Sequence, residues 1–235
     1  DHTGKDKKLN FDIKNFSKFK DKIIYIIVDD MPVNIKSYKK NWPVHHLRDQ
    51  HQRNALSKGF KDCEDDDVIM ISDIDEIPNP QKIKEFKIAN KYACFMQLNF
   101  QSKINLLNIT EKYWMGTKII QKKNLKSPQW LRNIKTAKPP FWKFYKPTQP
   151  QLIYEGGWHF SFLKEPEGIA NKIKSYSHSE YNKFEFTDKQ KIEEIIKNKI
   201  DIFNRDFKYQ RINLDEVFPK HILDNVNKYK NWIVE

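Results

Sequence analysis

The sequence contains only two cysteines, Cys63 and Cys94, among its 235 residues. Two cysteines form at most one disulfide, so a small disulfide-stapled scaffold is excluded, and we predict two free thiols. A run of about 18 apolar residues is also missing, which excludes a membrane-spanning helix. The polar start, DHTGKDKKLN, is not expected to be a signal peptide. The compartment stays open, because both a cytoplasmic protein and the lumenal part of a longer anchored protein fit.

Arginine-rich blocks and long runs of one charge are missing too, although the net charge is +12, from 43 basic and 31 acidic residues. Scattered lysines are typical of a solvated surface. The excess of positive charge would also suit an anionic ligand such as a nucleotide diphosphate, or a nucleic acid. Since no helix-turn-helix, zinc-finger or RNA-binding aromatic motif is visible, we expect no nucleic-acid partner.

Apolar stretches of strand length alternate with stretches of helical spacing, which predicts an α/β fold in a single domain over residues 1–235. Helices over about 186–235 are expected to pack on it. The predicted strands are DKIIYIIVDDMP (21–32), DVIMIS (67–72), YACFMQLNF, WMGTKII, FWKFY (141–145) and GGWHFSF. The predicted helices are 46–60, a short one after Asn79, SPQWLRNI with Ser127 as cap, EPEGIANKIKSYS, TDKQKIEEIIKNKIDIF with Thr187 or Asp188 as cap, and PKHILDNVNKYKNW.

The stretch DDDVIMISDIDEIPNP places three carboxylates, Asp73, Asp75 and Glu76, directly after a buried strand. In open α/β sheets, ligands bind at the carboxyl ends of strands. An Asp-x-Asp pair there can hold Mn²⁺ or Mg²⁺ that bridges a nucleotide diphosphate. The alternative is a capped turn before the helix at Pro80, with Asp and Asn as turn formers.

Two further groups could serve the same ligand. Arg53, beside Asn54, precedes Asp73 by 20 residues on a predicted helix and could reach a phosphate or form a surface salt bridge. Asp29 and Asp30 end the predicted strand 21–32 and could accept a hydrogen bond from a uracil ring, or simply be solvated.

The block DDDVIMISDIDEIPNP resembles the signature of glycosyltransferase family 17, which contains the β-1,4-mannosyl-glycoprotein 4-β-N-acetylglucosaminyltransferases. The block GGWHFSFLKEPEGIANKIKSYSHSEYN is similar to a second segment of that family. Weaker matches are HTGKDKKLNF, KIIYIIVDDMP, QRNAL and SPQWLR, so the resemblance covers nearly the whole chain. Family members usually carry a strand of the type D-x-F-x-x-x-E before T-G-K, and this chain, beginning at Asp1, lacks it.

The resemblance implies a GT-A-like, Rossmann-like mixed sheet flanked by helices. It also implies an inverting transfer from a nucleotide sugar, with UDP-N-acetylglucosamine as the expected donor and a glycan or glycoprotein as acceptor. Asp75 would bind Mn²⁺ or Mg²⁺, with Asp73 touching the ribose or the metal through water. Asp29 or Asp30 would lie near the base and Arg53 near the diphosphate.

For the remaining predicted site residues, the sequence leaves more than one role open. Glu167, at a helix start, is the first choice for the base that deprotonates the acceptor, and the other choices are Glu155 and Glu165. His159 could add a metal or diphosphate contact, with His178 as its competitor. Arg132 could bind a phosphate or pair with a core carboxylate. Three aromatic residues could form a sugar-stacking wall or belong to the core: Trp158, Phe160 and Trp130.

We therefore predict an inverting, metal-dependent glycosyltransferase. One alternative is a non-catalytic glycan-binding remnant of the fold, which would bind glycans without hydrolysing a donor. The other is a metal-dependent nuclease or nucleotidyltransferase, which would bind nucleic acid with a steep salt dependence.

Overall fold

A computed structural model describes residue 9 and residues 11–32, 44–140, 142, 147–175 and 181–234. The helices are α1 (Val44–Asn54), α2 (Pro128–Asn133), α3 (Pro166–Ser175), α4 (Phe184–Thr187), α5 (Lys189–Lys197), α6 (Lys220–Leu223) and α7 (Val226–Tyr229). The strands are β1 (Val68–Ile71), β2 (Glu76–Pro78), β3 (Tyr92–Gln101), β4 (Leu106–Asn108), β5 (Tyr113–Gln121), β6 (Gln151–Ile153), β7 (Gly157–Ser161) and β8 (Tyr209–Arg211). Short 3-10 helices cover Ile13–Lys22, Ala55–Phe60, Pro80–Glu85, Ile88–Asn90, Lys122–Asn124 and Lys230–Trp232.

The eight strands form one open, mostly antiparallel sheet centred on β3. Along one edge, β3 pairs antiparallel with β5 and, near its end, with β4. Along its other edge it pairs parallel with β6 and then β7. Three outer strands complete the sheet: β1 beside β5, β8 beside β4, and β2 beside β7. The predicted mixed α/β sheet with flanking helices is confirmed.

Local signals place the ends of several elements where the sequence predicts them. Ser127 accepts a hydrogen bond from the backbone nitrogen of Trp130 and begins α2, with Pro128 in the first turn. Asp188 caps α5 through Lys191, and Asn79 caps the turn that begins at Pro80. Both cysteines are free, as predicted.

Polar side chains follow one face of the central strand. Gln97, Asn99 and Gln101 alternate along β3, and all three are buried. Their neighbours Leu98 and Phe100 point to the opposite face and pack in the main apolar cluster. Buried polar groups need partners, so this stripe marks the face on which a polar site can be built.

The predicted strand over 21–32 is wrong. Residues 23–32 have no regular secondary structure, and Ile24 and Ile27 are 67% and 48% exposed. A strand requires a hydrogen-bonded neighbour, and none of the strands in the described ranges pairs with this segment. It lies instead against α1, where the carbonyl of Pro32 accepts a hydrogen bond from Arg48.

The predicted final helix is broken. α6 and α7 are separated at Asn225, whose φ of −130° and ψ of 32° are not helical. Asn interrupts helices easily, since its side chain bonds to nearby backbone; here its amide donates to the carbonyl of His221. The predicted strand 141–145 lies, except for residue 142, outside the described residues.

Gly116 in β5 allows close packing of the polar stripe. A Cβ atom at this position would lie 1.8 Å from Oε1 of Gln97, which is fully buried and cannot move into solvent. We expect Gly116→Ala to lower the free energy of unfolding by about 1–3 kcal/mol, as overpacking does in other cores.

Urea unfolding of Gly116→Ala beside Gly168→Ala tests this. In α3, a Cβ on Gly168 would meet only the Lys164 side chain at 3.2 Å, and alanine favours the helix. The control should therefore be neutral or slightly stabilising. Equal stability of the two variants would contradict the proposed clash.

Candidate active site

The three carboxylates of the motif lie in a tightly closed turn. We call residues 72–76 the acidic loop; it leaves β1 and enters β2. The backbone nitrogen of Asp73 donates to Oε2 of Glu76 at 3.1 Å, and the nitrogen of Glu76 donates to the carbonyl of Asp73 at 3.0 Å. The Ser72 hydroxyl bonds to that of Thr117 on β5. These bonds fix the directions in which the carboxylates point.

Two arginines pair with Asp73 and Glu76 of the loop. Arg132 of α2 donates to Asp73 at 2.9 Å and to both Glu76 oxygens at 2.8 and 2.9 Å. It also donates to the carbonyl of Gly116. Arg53 of α1 donates to the other oxygen of Asp73 at 3.1 Å. The repulsion among the carboxylates is thus relieved by the chain's own cations.

Glu76 is the buried centre of this network. Its side chain is 1% exposed and, besides Arg132 and the backbone nitrogen of Asp73, Nε1 of Trp114 donates to it, at 2.9 Å from Oε1. Burial raises the pKa of Glu76, and the charge and hydrogen bonds of Arg132 oppose that rise. Arg132 therefore pairs with a core carboxylate, which is one of the two roles that the sequence left open.

Asp75 points to the other side of the loop. Lys172 of α3 donates to its Oδ2 at 3.1 Å. Nε2 of His159, on β7, lies 3.8 Å from its Oδ1. The pairing of β2 with β7 brings His159 there, because it places Glu76 opposite His159.

The hydrogen bonds around His159 determine its tautomer. Asn99 donates its amide to the carbonyl of Glu111, so its oxygen faces Nδ1 of His159 at 3.0 Å. Nδ1 must then carry the proton, and Nε2 presents a lone pair towards Asp75. Burial lowers the pKa of His159 to about 4, although Asp75 opposes the shift, so the ring is neutral at pH 7.

Two acceptors thus face each other, the carboxylate of Asp75 and the imidazole nitrogen of His159, with no proton between them. A divalent cation fits this pair in its ligand chemistry. Mg²⁺ and Mn²⁺ commonly take one or two protein ligands and complete their shells with substrate phosphates and water. Within the described residues, no group of three or more His, Cys, Asp or Glu side chains is placed to hold a metal. Asp73 is occupied by two arginines.

The structure brings the α1 residues to the same loop. Besides Arg53, Asn54 accepts a hydrogen bond from the backbone of Gln129, which joins α1 to α2. Asp30 is bonded to His51, also on α1, at 3.0 Å, and this hydrogen bond lowers the pKa of Asp30. Asp29 is exposed beside it. Both aspartates thus lie next to the helix that reaches Asp73, although not at a strand end.

Two predicted residues lie on the far face of the sheet. Trp158 is buried in the apolar cluster of Leu98 and donates to the carbonyl of Val217. The Glu155 carboxylate accepts a hydrogen bond from Tyr113, which packs on that cluster. His159 lies on the opposite face, because neighbouring residues of β7 alternate. The structure does not bring Trp158 or Glu155 to Asp75.

Glu167 lies in the first turn of α3 but is directed away from Lys172. The two residues are five positions apart, about 140° around the helix. Glu167 is exposed and 3.5 Å from Lys189 of α5. Its role as base stays a prediction, as do those of Glu165, which is exposed before α3, and His178, which lies outside the described residues.

Sequence reasoning missed four contributors: Lys172, Trp114, Asn99 and the structural role of Glu76. Of these four, only Glu76 could have been found from the sequence, because it belongs to the acidic motif DDDVIMISDIDEIPNP. Phe160 is buried in one apolar cluster and Trp130 packs against another, which agrees with the core alternative for these aromatic residues. In the part of the chain that the structure describes, no helix is both apolar enough and long enough to cross a bilayer.

Comparison with known families supports the interpretation of the motifs. A profile of glycosyltransferase family 17 matches residues 1–231. No curated protein and no solved structure matched the chain. The resemblance inferred from the sequence blocks is thereby confirmed.

Proposed function

Because the chain belongs to glycosyltransferase family 17 and is thus a glycosyltransferase with a sugar donor and a glycan acceptor, we propose that its acidic loop binds the donor as a nucleotide diphosphate with a divalent cation. The observation that carries this proposal is the facing pair of acceptors on Asp75 and His159. The proposed donor is UDP-N-acetylglucosamine, the proposed transfer is inverting, and the proposed architecture is GT-A-like.

Charge balance supports the presence of a metal. Asp73, Asp75 and Glu76 carry three negative charges, and Arg53, Arg132 and Lys172 carry three positive ones. The loop is therefore already neutral, and a diphosphate would add negative charge beside the buried carboxylate of Glu76 and the partly exposed ones of Asp73 and Asp75. A divalent cation arriving with the diphosphate offsets that charge.

We assign the metal to Asp75 and His159, and Mn²⁺ suits a mixed oxygen and nitrogen set better than Mg²⁺ does. When bound, the metal would stabilise charge on the departing diphosphate. Asp73 does not serve as a direct ligand in this proposal, because both of its oxygens accept hydrogen bonds from arginines. Its partner Arg53 is 26% exposed, so it can turn towards a phosphate.

The chain's own residues would position the donor. Asn99 holds the His159 ring with Nε2 directed at the site. Lys172 is held over the ring of Phe162, 4.7 Å from its centre, and presents a cation at Oδ2 of Asp75. A cation in this position would also stabilise the negative charge that develops on the leaving group.

Thermal unfolding with candidate donors tests the proposal. The purified chain is scanned with Mn²⁺ and UDP, UDP-N-acetylglucosamine, UDP-glucose or GDP-mannose, with and without EDTA. We expect Mn²⁺-dependent stabilisation by UDP and UDP-N-acetylglucosamine. At a ligand concentration of 100 times Kd, it should reach about 2.7 kcal/mol.

GDP-mannose should not stabilise the chain, since the proposed site binds a uracil nucleotide. Equal stabilisation by GDP-mannose would show that the site does not select uracil and would remove UDP-N-acetylglucosamine as the specific donor. Stabilisation that survives EDTA would remove the metal from the proposal. Absence of stabilisation by every nucleotide would overturn the donor site itself.

A further inference from the structure

Trp114, at the start of β5, combines three properties, of which the site described above uses only the hydrogen bond to Glu76. Its ring stacks on the His159 ring, with centroids 4.4 Å apart and planes 11° apart. Its Nε1 donates to buried Glu76 at 2.9 Å. It is nevertheless 37% exposed. A flat ring with one face covered and its nitrogen bonded can expose only its other face and the rest of its edge.

The ring is held rigidly, so a ligand that contacts it does not have to order it. Glu76 is fixed by two hydrogen bonds from Arg132, and His159 by its bond to Asn99. Asn99 also bonds to the carbonyl of Glu111, three residues before Trp114, and anchors the approach to β5. Binding surfaces that are already ordered lose little conformational entropy when a ligand binds.

Its position relative to Asp75 defines what it can contact. His159 contacts both: its Nε2 is 3.8 Å from Asp75, and Trp114 covers one face of the same imidazole. Trp114 is therefore one stacked ring, 4.4 Å between centroids, from the imidazole at the proposed diphosphate position. In a transferase, the groups next to the diphosphate are the donor sugar and the acceptor sugar that attacks it.

The aromatic residues that the sequence offers as a sugar-stacking wall do not provide this surface. Trp158 and Phe160 are 7% and 8% exposed and pack in the main apolar cluster. Trp130 packs against the cluster beneath α2. Exposed Tyr154 contacts Tyr113, on the face of the sheet opposite His159.

We infer that Trp114 is the sugar-stacking platform of this site, the surface against which the apolar C–H face of a pyranose ring packs. The inference rests on the proposed donor site, and it adds the residue that recognises the sugar. Aromatic rings with one apolar face and a bonded polar edge suit such mixed ligands. The pyranose can come from the donor or from the acceptor.

The test separates these two sources by calorimetry. The first arm compares the Kd of UDP with that of UDP-N-acetylglucosamine in the presence of Mn²⁺, so that the difference isolates the sugar. The second arm titrates a mannose trisaccharide with and without UDP. Both arms are run on wild type, Trp114→Leu, Trp114→Phe and Phe184→Leu, an exposed aromatic residue of α4 that serves as control.

We expect Trp114→Leu to weaken sugar-dependent binding roughly 3- to 10-fold, the range of an aromatic contact. UDP alone is titrated into every variant, and the ratio of the two Kd values in each variant removes any effect of the substitution on the nucleotide. Trp114→Phe keeps a ring but loses the bond to Glu76, so it should retain most of the sugar affinity. Loss in the first arm assigns the platform to the donor sugar, and loss in the second assigns it to the acceptor.

The inference is overturned if Trp114→Leu changes sugar binding less than twofold in both arms. It is equally overturned if Trp114→Phe and Trp114→Leu weaken sugar binding by the same factor, because loss of the hydrogen bond to Glu76 would then explain the weaker binding. Failure of UDP to bind wild type contradicts the proposed donor site alone, since the trisaccharide arm without UDP still tests the platform. Absence of any sugar-dependent binding to wild type overturns the platform, while binding of UDP would still support the donor site.

Discussion

Arg132→Met lowers the free energy of unfolding by about 3–5 kcal/mol, the cost of removing one partner of a buried ion pair. The Arg132 side chain is 11% exposed and that of Glu76 only 1%. The substitution keeps much of the side-chain volume but leaves the Glu76 carboxylate without its cation. It also leaves the carbonyl of Gly116 without this donor.

Arg53→Met is the matched control. Arg53 also pairs with Asp73, but both side chains are partly exposed, 26% and 41%, and solvent screens their interaction. We expect a loss of about 1 kcal/mol or less. Urea denaturation of both variants measures the difference directly. Losses of similar size would contradict a buried network centred on Glu76.

A double substitution tests whether the unpaired carboxylate causes the loss. Arg132→Met combined with Glu76→Leu removes both charges and fills the space with apolar groups. Such replacements of buried ion pairs are often neutral or stabilising. The double variant should therefore recover much of the stability lost in Arg132→Met. If it is as unstable as the single variant, the carboxylate left behind is not the reason.

Asp75→Ala should lower donor turnover by about 100-fold or more while the protein remains folded. Residues that merely orient metal ligands cost about 10–100-fold in metal affinity or activity when removed, so loss of a proposed ligand should cost at least as much. The Asp75 side chain is 24% exposed and accepts a hydrogen bond from Lys172, while the backbone bond from Phe160 to the Asp75 carbonyl remains in the variant. Its removal should therefore change the free energy of unfolding little.

The control for this prediction is Asp66→Ala, before β1. Asp66 is paired with Lys123 as Asp75 is paired with Lys172, but it is 81% exposed and lies at the other end of the strand. UDP release from UDP-N-acetylglucosamine, with and without glycan acceptor, gives the rates. Asp66→Ala should match wild type. Wild-type turnover in Asp75→Ala would remove Asp75 from the site.

Much of the fold could be predicted from local signals in the sequence. The caps at Asn79, Ser127 and Asp188 are formed by residues within three positions of the turns that they begin, so short-range chemistry determines them. The strand before the acidic loop was predictable from its apolar run. The segment 23–32 was not, because an apolar run forms a strand only where another strand pairs with it.

The acidic loop could be located from the sequence, but its partners could not. Arg132 lies 56 residues from Glu76 along the chain, and Asn99 lies 60 residues from His159. The strand register across the sheet and the packing of α2 bring these groups together. The hydrophobic periodicity of the sequence predicts neither the register nor this packing. Trp114 and Trp158 look alike as strand aromatics, and only the fold exposes one and buries the other.

The coordination of Mn²⁺ tests the central claim most directly, because the claim joins one carboxylate and one imidazole nitrogen at a single ion. Electron spin-echo spectroscopy of the protein with Mn²⁺ and UDP detects a nitrogen bound to the metal. We predict a ¹⁴N coupling in wild type that disappears in His159→Gln while phosphorus coupling from UDP remains. Mn²⁺ bound with UDP but without nitrogen coupling, or with a coupling that survives in His159→Gln, would contradict the proposed site.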